Sequence, residues 1–470
     1  MKEKILDIVV VGSGLAALNF IDEYLKKGKS INLISPDEKN YLDSSSKQNI
    51  RLLPTQMRGE NINVQNYFFA NKLKVQDNCK LLGSLNFGGL SNYWGLQLDN
   101  YLNNDQKLSQ KSFNLIEKNF IKFLNKFKLI GSHLKKNEFI YKNEFVIPDQ
   151  LTRLINQNHK HFLCKKPILG FFSNKNFKGN LNSVKEKKQK LNAENFYKKI
   201  KRKENIIFHN YFVKKIFKNK KYFEIICKNS KEEKKLISKK IVFASGTVVT
   251  TKILMEYLKI KKEIKIRHHP RLFSVFFSKK PLEFNLDFTP SLLQIINKSK
   301  KNYFSSDLRP GNRLITESII DAFPFMILFK PIINFFRHRL IFSNILLDSN
   351  ASNIYIKKIK GQFEIYCKKR DLKGFLEKQN NKVFKFLLSK KIILPFFKTF
   401  FPGSGADYHY FGTIPFNGKG KLTVNENCQL NGSKNIYVID GSVFNFKTNK
   451  YPLGIVMANA RRIGQYLAKS

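Results

Sequence analysis

Residues 405–416, Gly-Ala-Asp-Tyr-His-Tyr-Phe-Gly-Thr-Ile-Pro-Phe, contain the last of eight histidines in this 470-residue chain. An imidazole titrates near neutrality, so His409 has the chemistry of a general base. Among Tyr408, Tyr410, Phe411 and Phe416 it reads equally well as a core histidine whose ring is satisfied. The choice depends on what the rest of the chain builds beside it. Three other clusters bear on that: Gly12-Ser13-Gly14-Leu15-Ala16-Ala17, the loop 83–95 with paired glycines and the only tryptophan, and Asp440-Gly441-Ser442. The five cysteines are scattered and form no Cys-x-x-Cys pair, so no zinc site or disulfide framework is expected. No metal site and no linear Ser/His/Asp or Cys/His nucleophile pattern is evident.

The elements that would position these residues begin at the N-terminus. Ile5–Val11 is a continuous apolar run, the pattern of a strand buried on both faces. Leu15–Lys27 reads as a helix stopped by Gly28, and Ile31–Ser35 as a second buried strand. The turn between the first strand and the helix carries Gly12-x-Gly14-x-x-Ala17. The first glycine permits the tight turn, the second lets backbone approach a pyrophosphate, and Ala17 keeps helix and strand close. This β-α-β unit predicts a dinucleotide site. The acid that would grip the adenosine ribose at the end of the second strand is replaced by Ser35, with Asp37 as a substitute from the loop. Ile206–Val213, Tyr222–Lys228 and Leu236–Ala244 read as a meander of three strands. The last runs into the small-residue turn Ala244-Ser245-Gly246-Thr247 and a helix. Asn435–Ile439 reads as a strand, Asp440-Gly441-Ser442 as a polar turn and Gly454–Lys469 as a closing helix.

The loop Gly-Ser-Leu-Asn-Phe-Gly-Gly-Leu-Ser-Asn-Tyr-Trp-Gly at 83–95, taken with both ends of the chain, resembles the glucose–methanol–choline family of FAD-dependent alcohol oxidoreductases, in particular its bacterial branch. The resemblance implies an α/β chain: a Rossmann-like FAD-binding domain from 1–100, 200–256 and 403–470, interleaved with an α+β substrate domain from 101–199 and 257–402. It implies FAD held by Gly12, Ser13, Gly14, Leu15, Ala16, Ala17 and Ser35, by Gly88, Gly89, Leu90, Ser91, Asn92 and Trp94, by Ala244, Ser245 and Gly246, and by Asp440, Gly441 and Ser442. Val213 is added by its position in the meander. His409-Tyr410-Phe411-Gly412-Thr413 matches the family's His-x-x-Gly-Thr segment, which makes His409 the expected base. Counting back from the closing helix puts Tyr451 where the family has Asn or His, with Asn449 and Asn445 as neighbouring amides. His268 stands where the family's Asp-His-Pro segment has its acid, and His268 and His269 are read as structural.

Composition adds a partner class. Lys and Arg number 85 against 35 Asp and Glu, a net charge of +50, which favours anionic surroundings. No nucleic-acid motif is present and the basic residues form no single arm, so nucleic acid is not an expected partner. Residues 321–347 and 382–403 interleave Phe and Ile with Lys and Arg, either as core elements with solvated faces or as a patch lying on a membrane. Asp7 and Gly12-Ser13-Gly14 interrupt the N-terminal apolar run, so a secretion signal is not expected. A reducing, cytoplasmic location is expected from the cysteine usage, with a peripheral position at the inner membrane face as its variant. The expected activity is oxidation of a sugar or polyol hydroxyl, free or lipid-linked, with an unspecified electron acceptor. The alternative is a catalytically weakened flavin-fold protein docking on anionic membrane or glycan through its basic surface.

Overall fold

The computed structural model describes residues 4–36, 62–99, 106–135, 138–174, 177–282, 284, 286, 288–299, 303–446 and 451–469. Asp37 and Asn449 lie outside the described residues.

The first sheet has seven strands and grows around Ile5–Val11. Ile31–Ile34 pairs with it in parallel on one side and Glu233–Phe243 on the other. Both neighbours and the covering helices leave Val9 and Val10 fully buried, as the unbroken apolar run requires. The helix expected over 15–27 is an α-helix over Leu15–Tyr24 that tightens to a 3-10 turn at Leu25–Lys27, and Gly28 ends it in the left-handed conformation at φ 69°. One reading of the meander is corrected. The run 206–213 is not one strand: Ile206–His209 pairs in parallel with Ile31–Ile34 on one edge, whereas Phe212–Lys218 begins the antiparallel meander on the opposite edge. Asn210 and Tyr211 carry the chain between them, and sequence periodicity cannot register a change of partner. Phe223–Lys228 and Glu233–Phe243 complete the meander, and Ile436–Val438 pairs with the end of the latter.

The closing helix Leu453–Lys469 lies against Leu15–Tyr24. Gly464 permits the contact, since a Cβ there would stand 2.5 Å from the Phe20 carbonyl oxygen. Buried Arg461 donates to Asp22 at 2.9 Å and also to Glu23, so the two ends of the chain are joined by packing and by a desolvated ion pair. Helix Gln110–Phe127 also packs on the closing helix, and its Lys126 pairs with Asp22 at 2.7 Å.

A second sheet of six strands is antiparallel, in the order Ile393–Phe400, Arg271–Ser278, Leu340–Leu347, Phe304–Pro310, Leu293–Asn297 and Phe162–Lys165. Helix Leu372–Ser389 covers one face, with Asn380 Oδ1 accepting from Ser274 Oγ at 2.7 Å. The other face bears Asp307, Arg309 and Arg271 toward the first sheet's loops. Among the described residues, two four-stranded sheets accompany these. In one of them Leu73–Val75 pairs in parallel with Gln362–Cys367.

That pairing overturns the expectation of five free thiols. It brings Cys79 and Cys367 together with their Cα atoms 5.7 Å apart, and they form a disulfide across 288 residues of sequence. Cys164, Cys227 and Cys428 remain free and buried. The inference of a reducing compartment from cysteine usage is therefore withdrawn. Among the described residues no helix is long and apolar enough to cross a membrane, and no cluster of His, Cys, Asp and Glu could hold a metal ion.

Candidate active site

A cavity of about 240 Å³ lies at the ends of the first sheet's parallel strands. Its floor is backbone. Gly12 has φ 104°, and a Cβ on it would lie 2.4 Å from the Ala244 carbonyl oxygen, so only glycine serves at this turn. Gly14 precedes helix Leu15–Tyr24 with no side-chain cap and no acid in the first turn. The helix thus presents unpartnered N–H groups and its positive end to the cavity, an arrangement that suits a pyrophosphate. Ser13 Oγ accepts from the Gly88 N–H at 2.9 Å and bonds Ser35 Oγ at 2.7 Å. Ser35, in place of the ribose-binding acid, is therefore engaged in pinning the Gly88-Gly89 loop to the first turn. Gly88 has φ 92°, and a Cβ there would lie 2.2 Å from Ala193 Cβ.

Most of the expected cofactor residues meet here. Gly12, Ser13, Gly14, Leu15, Ala16, Ser35, Gly88, Gly89, Leu90, Ser91, Trp94, Val213, Ala244, Ser245, Gly246, Asp440 and Gly441 all line the cavity. Ala17, Asn92 and Ser442 do not. Ala17 is fully buried. Asn92 donates to the Phe87 carbonyl at 2.7 Å, while its Oδ1 is buried without a partner. Ser442 donates to Asp440 through both its N–H and its hydroxyl. Thr250 also donates to Asp440, and burial pushes that carboxyl above its usual range. The Asp-Gly-Ser turn sits directly on the histidine segment: a Cβ on Gly441 would lie 2.8 Å from the Tyr410 carbonyl oxygen. The glycine floor and the uncapped helix end fit a bound dinucleotide.

His409 stands at the edge of this cradle. Asp407 holds it: one carboxylate oxygen accepts the His409 N–H at 2.7 Å and the other lies 2.5 Å from His268 Nδ1. His268 and His269 are fully buried, and His269 Nδ1 bonds the Leu347 carbonyl at 2.9 Å, in keeping with structural roles. The His409 ring is 8% exposed and its Nδ1 has no hydrogen-bond partner. Burial first, then the Arg271 guanidinium and the two neighbouring histidines, push its pKa well below the ordinary value. The imidazole is therefore held neutral at physiological pH.

Tyr451 packs edge-on against His409 with ring centroids 5.1 Å apart. Its hydroxyl donates to Asp307, and its backbone N–H donates to Asp99 at 2.8 Å. Burial, reinforced by the Asp307 charge, raises the phenol pKa well above 10, so Tyr451 stays protonated. Arg309 Nη2 approaches Asp307 at 3.3 Å, and burial raises the Asp307 pKa in spite of that partner. Asn445 lines neither cavity; its N–H donates to Gln106 at 2.7 Å.

A second cavity, about 630 Å³, extends from this point along the open face of the six-stranded sheet. Trp94, Tyr408, His409 and Tyr451 line both cavities and mark where they meet. Sequence reasoning missed Asp307, Arg309, Arg271 and Asp407. Asp407 lies two residues before the histidine and was legible as a local carboxylate. Asp307 lies 144 residues from Tyr451 and carries no local signal.

No family model matches the sequence, and no curated protein matches it. Among solved structures, the chain is similar to pyridoxine 4-oxidase from Mesorbium loti, with a TM-score of 0.60 over 99% of both chains at 12% identity. The likeness is one of fold. It covers 99% of the chain and agrees with the α/β architecture and Rossmann-like first sheet described above.

Proposed function

We propose that the protein is an FAD-dependent oxidoreductase that oxidises an alcohol, with His409 accepting the hydroxyl proton. The observation that carries this reading is the position of His409: a neutral, buried imidazole that lines both a dinucleotide cradle and a second cavity where they meet. The structural neighbour bears the name of an oxidase of pyridoxine, itself an alcohol, which agrees with this chemistry.

Gly12–Ala16, the Gly88–Ser91 turn, Val213, Ala244–Gly246 and Asp440-Gly441 would hold the cofactor. When bound, FAD supplies the acceptor for the hydride that leaves the alcohol carbon. His409 draws off the hydroxyl proton as the C–H bond breaks, so the carbon is left as a carbonyl. Asp407 keeps the His409 backbone in place. Tyr451 acts as a positioning residue, its hydroxyl tied to the Asp307–Arg309 pair so that its ring edge fixes the imidazole.

The second cavity narrows the substrate. Its walls are mostly Phe, Ile, Leu and Val, with polar groups such as His409, Tyr451, Arg309 and Arg271 toward its inner end. A free polyol would leave several hydroxyls facing apolar walls, at a cost of about 1–3 kcal/mol each. A single reacting hydroxyl on an apolar body suits the site better than a free sugar.

The test is the absorption spectrum of the purified protein. A flavin spectrum that bleaches anaerobically on addition of an alcohol is expected. A colourless protein that sediments with anionic vesicles would favour the alternative, a flavin fold that has lost its cofactor.

A further inference from the structure

The segment 313–336 does not behave as a core element. It consists of helix Arg313–Ala322, a 3-10 turn Pro324–Phe329 and helix Lys330–Phe336. Inwardly it rests on a small cluster of Ile315, Ile333 and Leu340, separate from the main core. Outwardly it exposes large apolar side chains: Leu328 is 80% exposed, Phe335 78%, Phe325 64% and Ile327 58%. Phe396, 57% exposed, adds to this face from the edge strand Ile393–Phe400. A contiguous apolar surface of this kind marks an interaction site.

The same segment roofs the larger cavity. Phe325, Phe329, Ile332, Phe336 and Phe396 are both exposed and part of the cavity lining, so the cavity that ends at His409 opens through the apolar face. Arg313, Lys330 and Lys398 belong to this segment and the edge strand, and Arg337 and Arg339 to the 3-10 turn that follows it, against Glu317 and Asp321. Lys330 and Lys398 are exposed.

We propose that this face docks on an anionic lipid bilayer and that the substrate is an alcohol at the end of a long hydrocarbon chain, entering the cavity from the membrane. The apolar side chains enter the boundary between headgroups and acyl chains while the cations meet anionic headgroups. No described helix is long and apolar enough to span the bilayer, so the segment lies on it. A protein partner seated here would close the path to His409, whereas a bilayer supplies what the path can hold. Phe273, Val275, Phe277 and Phe342 along the cavity wall match a hydrocarbon chain, and the polar inner end matches its terminal hydroxyl. The substrate assignment rests on the oxidation proposed above; the docking surface does not.

The full-length protein is mixed with phosphatidylcholine vesicles, with and without phosphatidylglycerol, and sedimented. Binding to the anionic vesicles is expected, weakening as salt rises. The triple variant Ile327→Ser, Leu328→Ser, Phe335→Ser should bind at least tenfold more weakly while keeping its flavin content and its reduction by a short soluble alcohol, since none of the three lines the cavity. Anaerobic flavin reduction should become more efficient as a primary alcohol lengthens toward vesicle-borne dodecanol. A wild-type protein that stays in the supernatant with both vesicles overturns the docking surface. So does a dimer that the triple variant converts to monomer, which would assign the face to a second copy. Flavin reduction indifferent to chain length overturns the substrate class and leaves the oxidation standing. Vesicle binding by a colourless protein sustains the docking surface and removes the oxidation.

Discussion

Replacing His409 by glutamine removes a proton acceptor while keeping a side chain of similar reach, and its effect can be sized. General acid–base catalysis contributes about 10²- to 10⁴-fold. Two consequences of the histidine's surroundings act in opposite directions. Burial and the Arg271 guanidinium depress its pKa, so nearly every molecule carries the neutral, competent imidazole at neutral pH and no activity is lost to protonation. The same depression makes the imidazole a weaker base, which lowers the driving force for each transfer. The second effect places His409→Gln in the lower half of the range, a loss of about 10²- to 10³-fold, or about 3–4 kcal/mol of barrier at 1.36 kcal/mol per decade.

The assay is anaerobic stopped-flow reduction of the bound flavin by a saturating alcohol, across pH. In the parent protein the rate should be flat from neutrality upward and fall only on the acid side of the ordinary histidine value. The sign follows from the depressed pKa: the folded protein resists protonating His409, so the competent form persists as pH falls below the unfolded value near 6.5. Stability follows the same sign. Whatever His409 contributes is present above the unfolded pKa and declines as pH falls toward the folded one. A His409→Gln protein that keeps its flavin and reduces it within threefold of the parent rate would remove the histidine from the mechanism. An acid limb above pH 7 would refute the neutral, desolvated imidazole.

Three further outcomes are expected. Tyr451→Phe deletes the hydroxyl that donates to buried Asp307, whose Oδ1 already lacks a partner, and should cost about 1–3 kcal/mol of stability in denaturant titration; an unchanged midpoint would show that the bond is not formed. Gly88→Ala sets a Cβ against Ala193 Cβ at a backbone angle that disfavours alanine, so flavin content should fall while circular dichroism stays that of the parent; full flavin occupancy would contradict the cradle. Replacing Cys79 and Cys367 together by serine should lower stability by about 2–4 kcal/mol, and peptide mapping of the parent without reductant should show the two peptides linked; two free thiols there would refute the pairing.

What the sequence made legible was what depends on neighbours along the chain. The Ile5–Val11 run, the glycines after it and the helix that follows specify each other within thirty-odd residues, and the structure places them as expected. The polar turn at Asp440 and the closing helix are equally local. Features set by distant partners were not legible. The break at Asn210 and Tyr211 sends two adjacent strands to opposite edges of a sheet, which no periodicity records. Cys79 and Cys367 meet only because Leu73–Val75 joins a strand nearly three hundred residues away. Whether 321–347 formed core elements or a membrane patch stayed open in the sequence, because Phe and Ile have the same letters in either setting; the exposure of Phe325, Leu328 and Phe335 appears only in the fold.

The two departures from the expected catalytic pattern share one physical explanation. His268 stands where an acid was expected, and the structure sets against it Asp407, an acid from the histidine's own segment, at 2.5 Å. Tyr451 stands where an amide or imidazole was expected, and its hydroxyl finds Asp307 on the six-stranded sheet. A buried histidine or phenol needs a partner; in each case a carboxylate provides one from a part of the chain remote in sequence. The carboxylates also do more than satisfy a donor. Asp407 fixes the backbone of His409, and Asp307, through Tyr451, fixes the edge against which the His409 ring rests. The geometry around His409 is therefore set by two carboxylate pairs and not by the residue types at two motif positions alone.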